Sequence, residues 1–217
     1  MSAFHECELK LKVCNQEIEK SLRCRLSKTG FTQTDYRIET DSVLDTINNT
    51  FGSKNMLFRL REIKRESLKS ILFTVKIKGS SLFFQDNMEL EVASDSFTLS
   101  DANIMAKTIR EMTEILIPVE AFALKDRDAI ISKLRENEIY IQRTTQKKRE
   151  EFTGKESKVT FDTFPDPVGT YFEIESSSEE KLYATVRMLN LENSPLEKRS
   201  YGQIVKEATN GIKNFVF

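Results

Sequence analysis

Several stretches of the chain alternate between charged and apolar residues, which is the pattern of a β-strand with one polar face. In residues 4–13, Glu6, Glu8 and Lys10 alternate with apolar residues. On a strand these three side chains lie on one face, spaced ~6.5–7 Å apart. This stretch is therefore predicted to be a half-buried strand.

The same alternation predicts seven further strands, at residues 31–38, 56–63, 71–78, 87–93, 138–152, 158–163 and 170–176. Apolar residues spaced three and four apart predict amphipathic helices. These cover residues 15–29, 100–116, 125–136 and 178–190, with a short last helix from Gln203. The polar stretch 40–55 is interpreted as a short helix or structured loop. Because no linker or internal repeat stands out, a single domain is predicted over residues 1–217.

Six of the predicted strands carry two charges of one sign on the same face. The acidic pairs are Glu6/Glu8, Glu89/Glu91 and Glu173/Glu175, and the basic pairs are Arg59/Arg61, Lys76/Lys78 and Lys147/Arg149. For any single pair, an antiparallel sheet with one solvated face is the simpler interpretation. Six such pairs favour a shared ligand site, because adjacent like charges destabilise a sheet unless something neutralises them.

The opposite face of nearly every predicted strand is apolar, and amphipathic helices are available to cover it. The predicted fold is therefore α+β, an eight-stranded antiparallel closed β-barrel with a charged lumen, covered outside by helices. A polar lumen is tolerable when it holds water, ions and a ligand. Basic and acidic walls fit a phosphate chain bridged to Mg²⁺ or Mn²⁺, which are hard cations that prefer oxygen ligands.

Composition narrows the function classes. The formal net charge is −1, so no overall field attracts nucleic acid or membranes. The three cysteines lie in the first 24 residues, and His5 is the single histidine, so a zinc cluster, a disulfide framework and histidine-based catalysis are not indicated. No apolar run approaches a membrane span and no signal-peptide core begins the chain, so a cytoplasmic location is expected.

The charged motifs resemble, in order, those of the CYTH superfamily, the triphosphate tunnel metalloenzymes. The matching segments are Glu6-x-Glu8-x-Lys10, Gln33-x-Asp35-Tyr36, Leu57-Phe58-Arg59-Leu60-Arg61, Lys76-x-Lys78-Gly79, Glu89-x-Glu91, Lys147-Lys148-Arg149, Asp162 with Gly169-x-x-Phe172-Glu173-Ile174-Glu175, and Arg199-Ser200-Tyr201. The resemblance implies a tunnel barrel and metal-dependent chemistry on a triphosphate. Two segments are longer than the family pattern implies: residues 40–56, and the segment between Glu91 and Lys147.

The resemblance also implies roles for individual residues. Catalysis would rest on Glu6, Glu8, Lys10, Arg59, Arg61, Lys78 and Arg149. Substrate would be bound by Lys10, Arg59, Arg61, Lys76, Lys78, Lys147, Arg149 and Arg199. The metal would be held by Glu6, Glu8, Glu91, Asp162, Glu173 and Glu175, with Glu89 in support. Ser200 and Tyr201 also have a structural interpretation, Ser200 as the N-cap of the last helix and Tyr201 as a packing residue, and this interpretation is favoured for Tyr201.

Three functions stay open from the sequence. Metal-dependent hydrolysis of tripolyphosphate, thiamine triphosphate or a nucleoside triphosphate is the first, because it requires the tunnel alone. A class IV adenylate cyclase is the second, since Phe152-x-Gly154-Lys155 and Arg199-Ser200-Tyr201 resemble cyclase members. A non-catalytic module that binds polyphosphate or nucleotide is the third. The expected partner is a small triphosphate rather than a nucleic-acid polymer or a membrane, and the protein is expected to be a monomer or homodimer.

Overall fold

The structure is a computed structural model that describes residues 4–66, 68–79, 85–96 and 98–217. Its strands are β1 (Phe4–Val13), β2 (Thr32–Asp45), β3 (Met56–Arg65), β4 (Leu68–Lys78), β5 (Gln85–Ala93), β6 (Tyr140–Thr153), β7 (Ser157–Thr163), β8 (Thr170–Ser176) and β9 (Asn214–Phe215). Its helices are α1 (Gln16–Lys28), α2 (Thr50–Ser53), α3 (Leu99–Thr113), α4 (Arg127–Arg135), α5 (Glu179–Met188) and α6 (Tyr201–Ala208), with a 3₁₀ turn at Val119–Ala123.

The strands form a closed antiparallel barrel. Their order is β2-β3-β4-β5-β1-β8-β7-β6, and β6 pairs with β2 to complete the ring. The ninth strand, β9, adds a short parallel pairing to β6 outside this ring. The prediction of an eight-stranded closed barrel is thus confirmed.

The apolar sides of the strands face outward against the helices. One cluster joins β3, β4 and β5 to α3, α4 and the 3₁₀ turn, and includes the fully buried Phe58, Phe73 and Phe122. A second cluster packs α1 and α5 on β1, β7 and β8, with Leu22 and Leu182 buried. The apolar side chains of the strands therefore pack against the outer helices, and the charged side chains that alternate with them face the lumen.

The interpretation of residues 40–55 as a helix or loop is wrong for its first part. Strand β2 continues to Asp45, and only the four-residue α2 lies in the rest of this segment. The Asp45 carboxylate accepts hydrogen bonds from the backbone N–H groups of Thr46, Phe51 and Gly52, which ties the end of β2 to α2. The two predicted helices between Glu91 and Lys147 are present as α3 and α4.

The C-terminal segment crosses one end of the barrel. Helix α6 begins at an N-cap formed by Ser200, as predicted, and Ser200 and Gln203 complete a capping box. Ile204 and Val205 of this helix pack with Phe164 and Tyr171 in a third apolar cluster. In the described part of the chain, no helix is both long and apolar enough to cross a bilayer.

Candidate functional site

A cavity of about 730 Å³ occupies the lumen of the barrel, and most of the predicted site residues line it. Those in its lining are Glu6, Glu8, Lys10, Arg59, Arg61, Lys76, Lys78, Glu91, Lys147, Arg149, Glu173 and Glu175, together with Glu89. Leu60 and Ile174 instead belong to the outer apolar clusters, and Phe58, which also touches the cavity, is fully buried in one of them. The alternation of each strand therefore separates charge inside from packing outside.

Lys76 lies at the centre of an acidic group contributed by β1 and β5. Its ammonium donates to Glu6 Oε2 at 2.6 Å and to Glu8 Oε2 at 2.9 Å, and it lies 2.8 Å from Glu89 Oε1. The register explains this meeting, since Lys76 pairs directly with Glu89 and β5 in turn pairs with β1. One side chain thus neutralises part of the charge of the three carboxylates.

Negative charge still exceeds positive charge around this group. Burial, reinforced by the neighbouring carboxylates and opposed by Lys76, raises the pKa of Glu6 to about 9. Burial also raises the pKa of Glu175 to about 7, because Arg149 offsets only part of the desolvation. Burial acts on Glu8 in the same direction, but Lys76 and Lys10 outweigh it and lower the pKa of Glu8 to about 2. A further cation would stabilise the ionised forms of Glu6 and Glu175.

Two more basic residues link the carboxylates of the other strands. The Lys10 ammonium, buried to 1% exposure, lies 3.1 Å from Glu173 Oε1 and 3.4 Å from Glu8 Oε1. Arg149 donates through Nε to Asp162 Oδ1 at 2.6 Å and through Nη2 to Glu173 Oε2 at 2.9 Å. These paired contacts fix the direction of both cations before any ligand arrives.

Strand β2 contributes a row of charged residues that sequence reasoning missed. Arg37 donates to Asp35 and Glu39, and Arg61 donates to Asp41 through Nε at 2.6 Å. Glu39 is fully buried, and Arg61, Lys147 and Arg149 keep its pKa well below the usual range despite its desolvation. The signal was present as continued alternation from Asp35 to Asp41, but the predicted strand stopped at residue 38.

Tyr201 closes one side of the lumen above two lysines. Its ring centroid is 4.6 Å from Lys10 Nζ and 4.8 Å from Lys147 Nζ, which are cation–π distances. The ring also packs against Phe164 and Tyr171, so the predicted packing role is confirmed. Burial raises the pKa of the Tyr201 hydroxyl well above its usual range, and the phenol therefore stays neutral. Tyr201 thus joins the apolar cluster under α6 to the charged lumen.

Comparison with known proteins agrees with this geometry. The CYTH domain model matches residues 5–201. The chain belongs to the CYTH family. No curated protein matched the sequence.

Solved structures share this CYTH barrel at low sequence identity. A candidate adenylate cyclase from Vibrio parahaemolyticus is 19% identical, with a TM-score of 0.62, over 95% of this chain and 99% of that one. A conserved hypothetical protein from Pyrococcus furiosus is 17% identical, with a TM-score of 0.63, over 92% and 99%. A candidate adenylyl cyclase from Hippeastrum, described as having a dominant triphosphatase activity, is 13% identical, with a TM-score of 0.56, over 96% and 97%. At these identities the likeness shows the fold.

Two predicted site residues of this CYTH chain do not line the described cavity. Asp162 is fully buried behind Lys147 and Arg149, and both of its oxygens accept hydrogen bonds from them. In this arrangement it orients the two cations instead of offering an oxygen to a metal. Arg199 lies on the surface, where it pairs with Glu197 and Glu207. These carboxylates hold it outside the cavity lining, and its role in substrate binding stays a prediction.

The donor chemistry of the CYTH lumen fits a divalent metal ion. Its carboxylate oxygens are hard ligands, and burial, reinforced by neighbouring carboxylates, raises the pKa values of Glu6 and Glu175. Within the described ranges, no three acidic side chains are arranged as a preformed metal cluster. The Lys76 ammonium instead occupies the point where Glu6, Glu8 and Glu89 meet. A metal held by these residues would therefore share or displace that ammonium.

Proposed function

We propose that this CYTH protein hydrolyses a triphosphate in a reaction that depends on Mg²⁺ or Mn²⁺. The observation that carries the proposal is the division of the lumen. Carboxylates of the neighbouring strands β5, β1 and β8 line one side of the barrel, with Lys10 and Lys76 among them, and the basic residues of β3 and β6 flank β2 on the other side. This arrangement is complementary to a phosphate chain with a cation beside it.

The protein residues would act mainly by positioning and by charge. Lys10, Lys147 and Arg149 are held by carboxylates and by Tyr201, so their charges are directed before substrate binds. Preorganised cations of this kind stabilise the charge that develops on phosphate oxygens during transfer. The metal, bound through carboxylates such as Glu6, Glu8 and Glu175, would supply additional charge neutralisation and Lewis acidity.

Hydrolysis is favoured over cyclisation by the make-up of the lining. A cyclase must hold the ribose so that its 3′-hydroxyl lies in line with the α-phosphorus. In the described lining, aromatic residues such as Phe58 and Tyr201 are committed to the apolar clusters, and no row of them forms a base pocket. The Hippeastrum neighbour, named for cyclase activity and described with a dominant triphosphatase activity, supports the same choice. The cyclase alternative rests on the Vibrio neighbour's name and on Phe152–Lys155.

Product analysis tests the proposal. Purified protein with Mg²⁺ or Mn²⁺ would be offered tripolyphosphate, thiamine triphosphate and ATP, and the products would be separated. We expect orthophosphate, with tripolyphosphate or a small organic triphosphate consumed faster than ATP. Cyclic AMP and pyrophosphate from ATP, with tripolyphosphate inert, would establish the cyclase alternative. Binding that survives without metal and yields no product would establish a binding module.

A further inference from the structure

Arg143 differs from the other basic residues of the lumen. It lies on β6, on the same face as Lys147 and Arg149, and it lines the cavity. Three of the described cations in the lining make no ion pair with a described carboxylate: Arg143, Lys78 and Lys206. Lys78 and Lys206 are exposed, whereas Arg143 is partly buried. Its Nε is buried without a hydrogen-bond partner. A guanidinium in this position lacks the acceptor that its desolvation calls for.

Two carboxylates of β2, Asp41 and Asp45, line the same cavity as Arg143, and both are already used by other donors. Asp41, which faces the same part of the lumen, accepts from Arg61 through both oxygens. Asp45 accepts three backbone N–H groups at the end of β2. Burial consequently lowers the pKa of Arg143, with only a partial opposing effect from Asp41. The described protein groups therefore leave the Arg143 Nε atom without an acceptor.

The surroundings hold the Arg143 guanidinium in one place. A Cβ atom built on Gly202 would lie 2.5 Å from Arg143 Nη2, so the absence of a side chain in the first turn of α6 makes room for it. Val43 of β2 lies opposite Arg143 of the neighbouring strand β6, and opposite Arg59 of its other neighbour, β3. The two arginines thus flank Val43 at one level of the barrel, and the Nε atom of each is buried without a hydrogen-bond partner.

Arg143 lies apart from Lys147 and Arg149 along strand β6. It precedes Lys147 by four residues, which corresponds to ~13 Å along a strand. A phosphate held by Lys147 and Arg149 is therefore distinct from any anionic group held by Arg143. A longer chain of phosphates that starts at Lys147 and Arg149 reaches further toward Arg143 than a shorter chain does.

We propose that Arg143 binds the phosphate at the far end of a linear polyphosphate and so selects chains of three phosphates over two. The inference rests on the proposed function and adds a determinant of substrate length to it. The ligand class is an inorganic polyphosphate or the terminal phosphate of a small triphosphate. A nucleoside at this position would place a different group against the guanidinium.

Calorimetric titration with tripolyphosphate and with pyrophosphate tests the inference without relying on turnover. The variants are Arg143→Gln, Arg143→Lys and Gly202→Ala, with Arg135→Gln on the exposed face of α4 as the matched control. We expect Arg143→Gln to weaken tripolyphosphate binding about tenfold and to change pyrophosphate binding by less than about twofold, as for a lost charged hydrogen bond. Gly202→Ala should give the same selective loss by displacing the guanidinium, and Arg143→Lys a smaller one.

The outcomes separate this inference from the proposed function. Equal loss for both ligands, or no loss for either, would overturn the role of Arg143 while leaving the triphosphatase proposal standing. With ATP titrated as a third ligand, a loss confined to ATP would show that the position serves an organic group, and would overturn the role as well. Failure of the wild-type protein to bind tripolyphosphate would remove both proposals together. If Arg143→Gln fails to fold, Gly202→Ala decides the question, because the atoms nearest to the added methyl group belong to the far end of the Arg143 side chain and not to the backbone.

Discussion

The Tyr201 ring centroid lies 4.6 Å from the ammonium of Lys10, a residue that is 1% exposed and also faces Glu173. The contact joins the first strand of the barrel to the start of its last helix. Tyr201→Leu should therefore raise the KM for tripolyphosphate about threefold to tenfold, on the scale of a partly desolvated cation–π contact. Steady-state kinetics would measure it.

Tyr201→Phe is the control for this prediction, because it keeps the ring and removes only the hydroxyl. Its KM should match that of the wild type. An equal rise in KM for the Leu and Phe variants would show that the hydroxyl, and not the ring, matters.

Removal of Lys76 should destabilise the metal-free protein. Lys76→Met leaves Glu6, Glu8 and Glu89 without the ammonium that they share. Breaking a buried ion pair from one side costs about 3–5 kcal/mol in the free energy of unfolding. Added Mg²⁺ should restore more stability in this variant than in the wild type, because the carboxylates then lack their internal cation.

Thermal unfolding with and without Mg²⁺ measures both effects. The surface variant Lys107→Met serves as the control, since Lys107 pairs with Glu111 at an exposed site. Identical melting temperatures and identical Mg²⁺ shifts in the Lys76 variant and the wild type would contradict the bridging role.

Turnover should depend on the Glu8 carboxylate, which is a proposed metal ligand. Glu8→Gln keeps the shape of the side chain and removes one charge beside Lys10 and Lys76. We expect turnover to fall by ~10²-fold or more, as for a lost electrostatic group in a catalytic site. Glu111→Gln, on an exposed face of α3, should leave turnover unchanged. Full wild-type turnover in excess chelator would rule out the divalent ion.

The stability of the metal-free protein should fall as the pH rises toward neutrality. Burial raises the pKa of Glu175 from 4.5 to about 7, so the folded state holds this proton more tightly than the unfolded state. The resulting stabilisation is complete below pH 4.5 and is lost as the pH passes through about 7. Glu6 extends the decline, since its pKa is raised to about 9.

Melting temperatures between about pH 5 and 8 in chelator would show this trend. Glu175→Gln cannot lose the proton, so its melting temperature should vary less across the same range. A wild-type protein whose stability rises steadily over this interval would mean that Glu175 is ionised throughout.

Sequence predicted well those strands whose own residues alternate between like charges and apolar side chains. Strand β8 spans Thr170–Ser176 as expected, because Glu173 and Glu175 alternate with buried Phe172 and Ile174. Strand β2 was cut short because Arg37 stands between the acidic residues Asp35 and Glu39, and its one pair of like charges, Glu39 and Asp41, lies beyond the predicted end at residue 38. Local patterning thus indicates which face is charged.

The partners of each charge depend on register, which sequence patterns do not contain. Lys76 was grouped with Lys78, yet it lies among three carboxylates, whereas Lys78 lies exposed at the rim. Arg199 matched a family motif, but Glu197 and Glu207 hold it on the surface. In each case the deciding contact comes from another element or from across a turn.

The pairing of β2 with β6 has a consequence for how the chain folds. This pairing closes the ring, and it joins groups as far apart as the hydroxyls of Thr34 and Thr153, which are 119 positions apart in the chain. Such distant contacts form late, because a long loop must close before they gain any energy. During synthesis β2 therefore waits for its last neighbour until β6 has been made, and a fragment that ends before Tyr140 retains an open edge with no enclosed chamber.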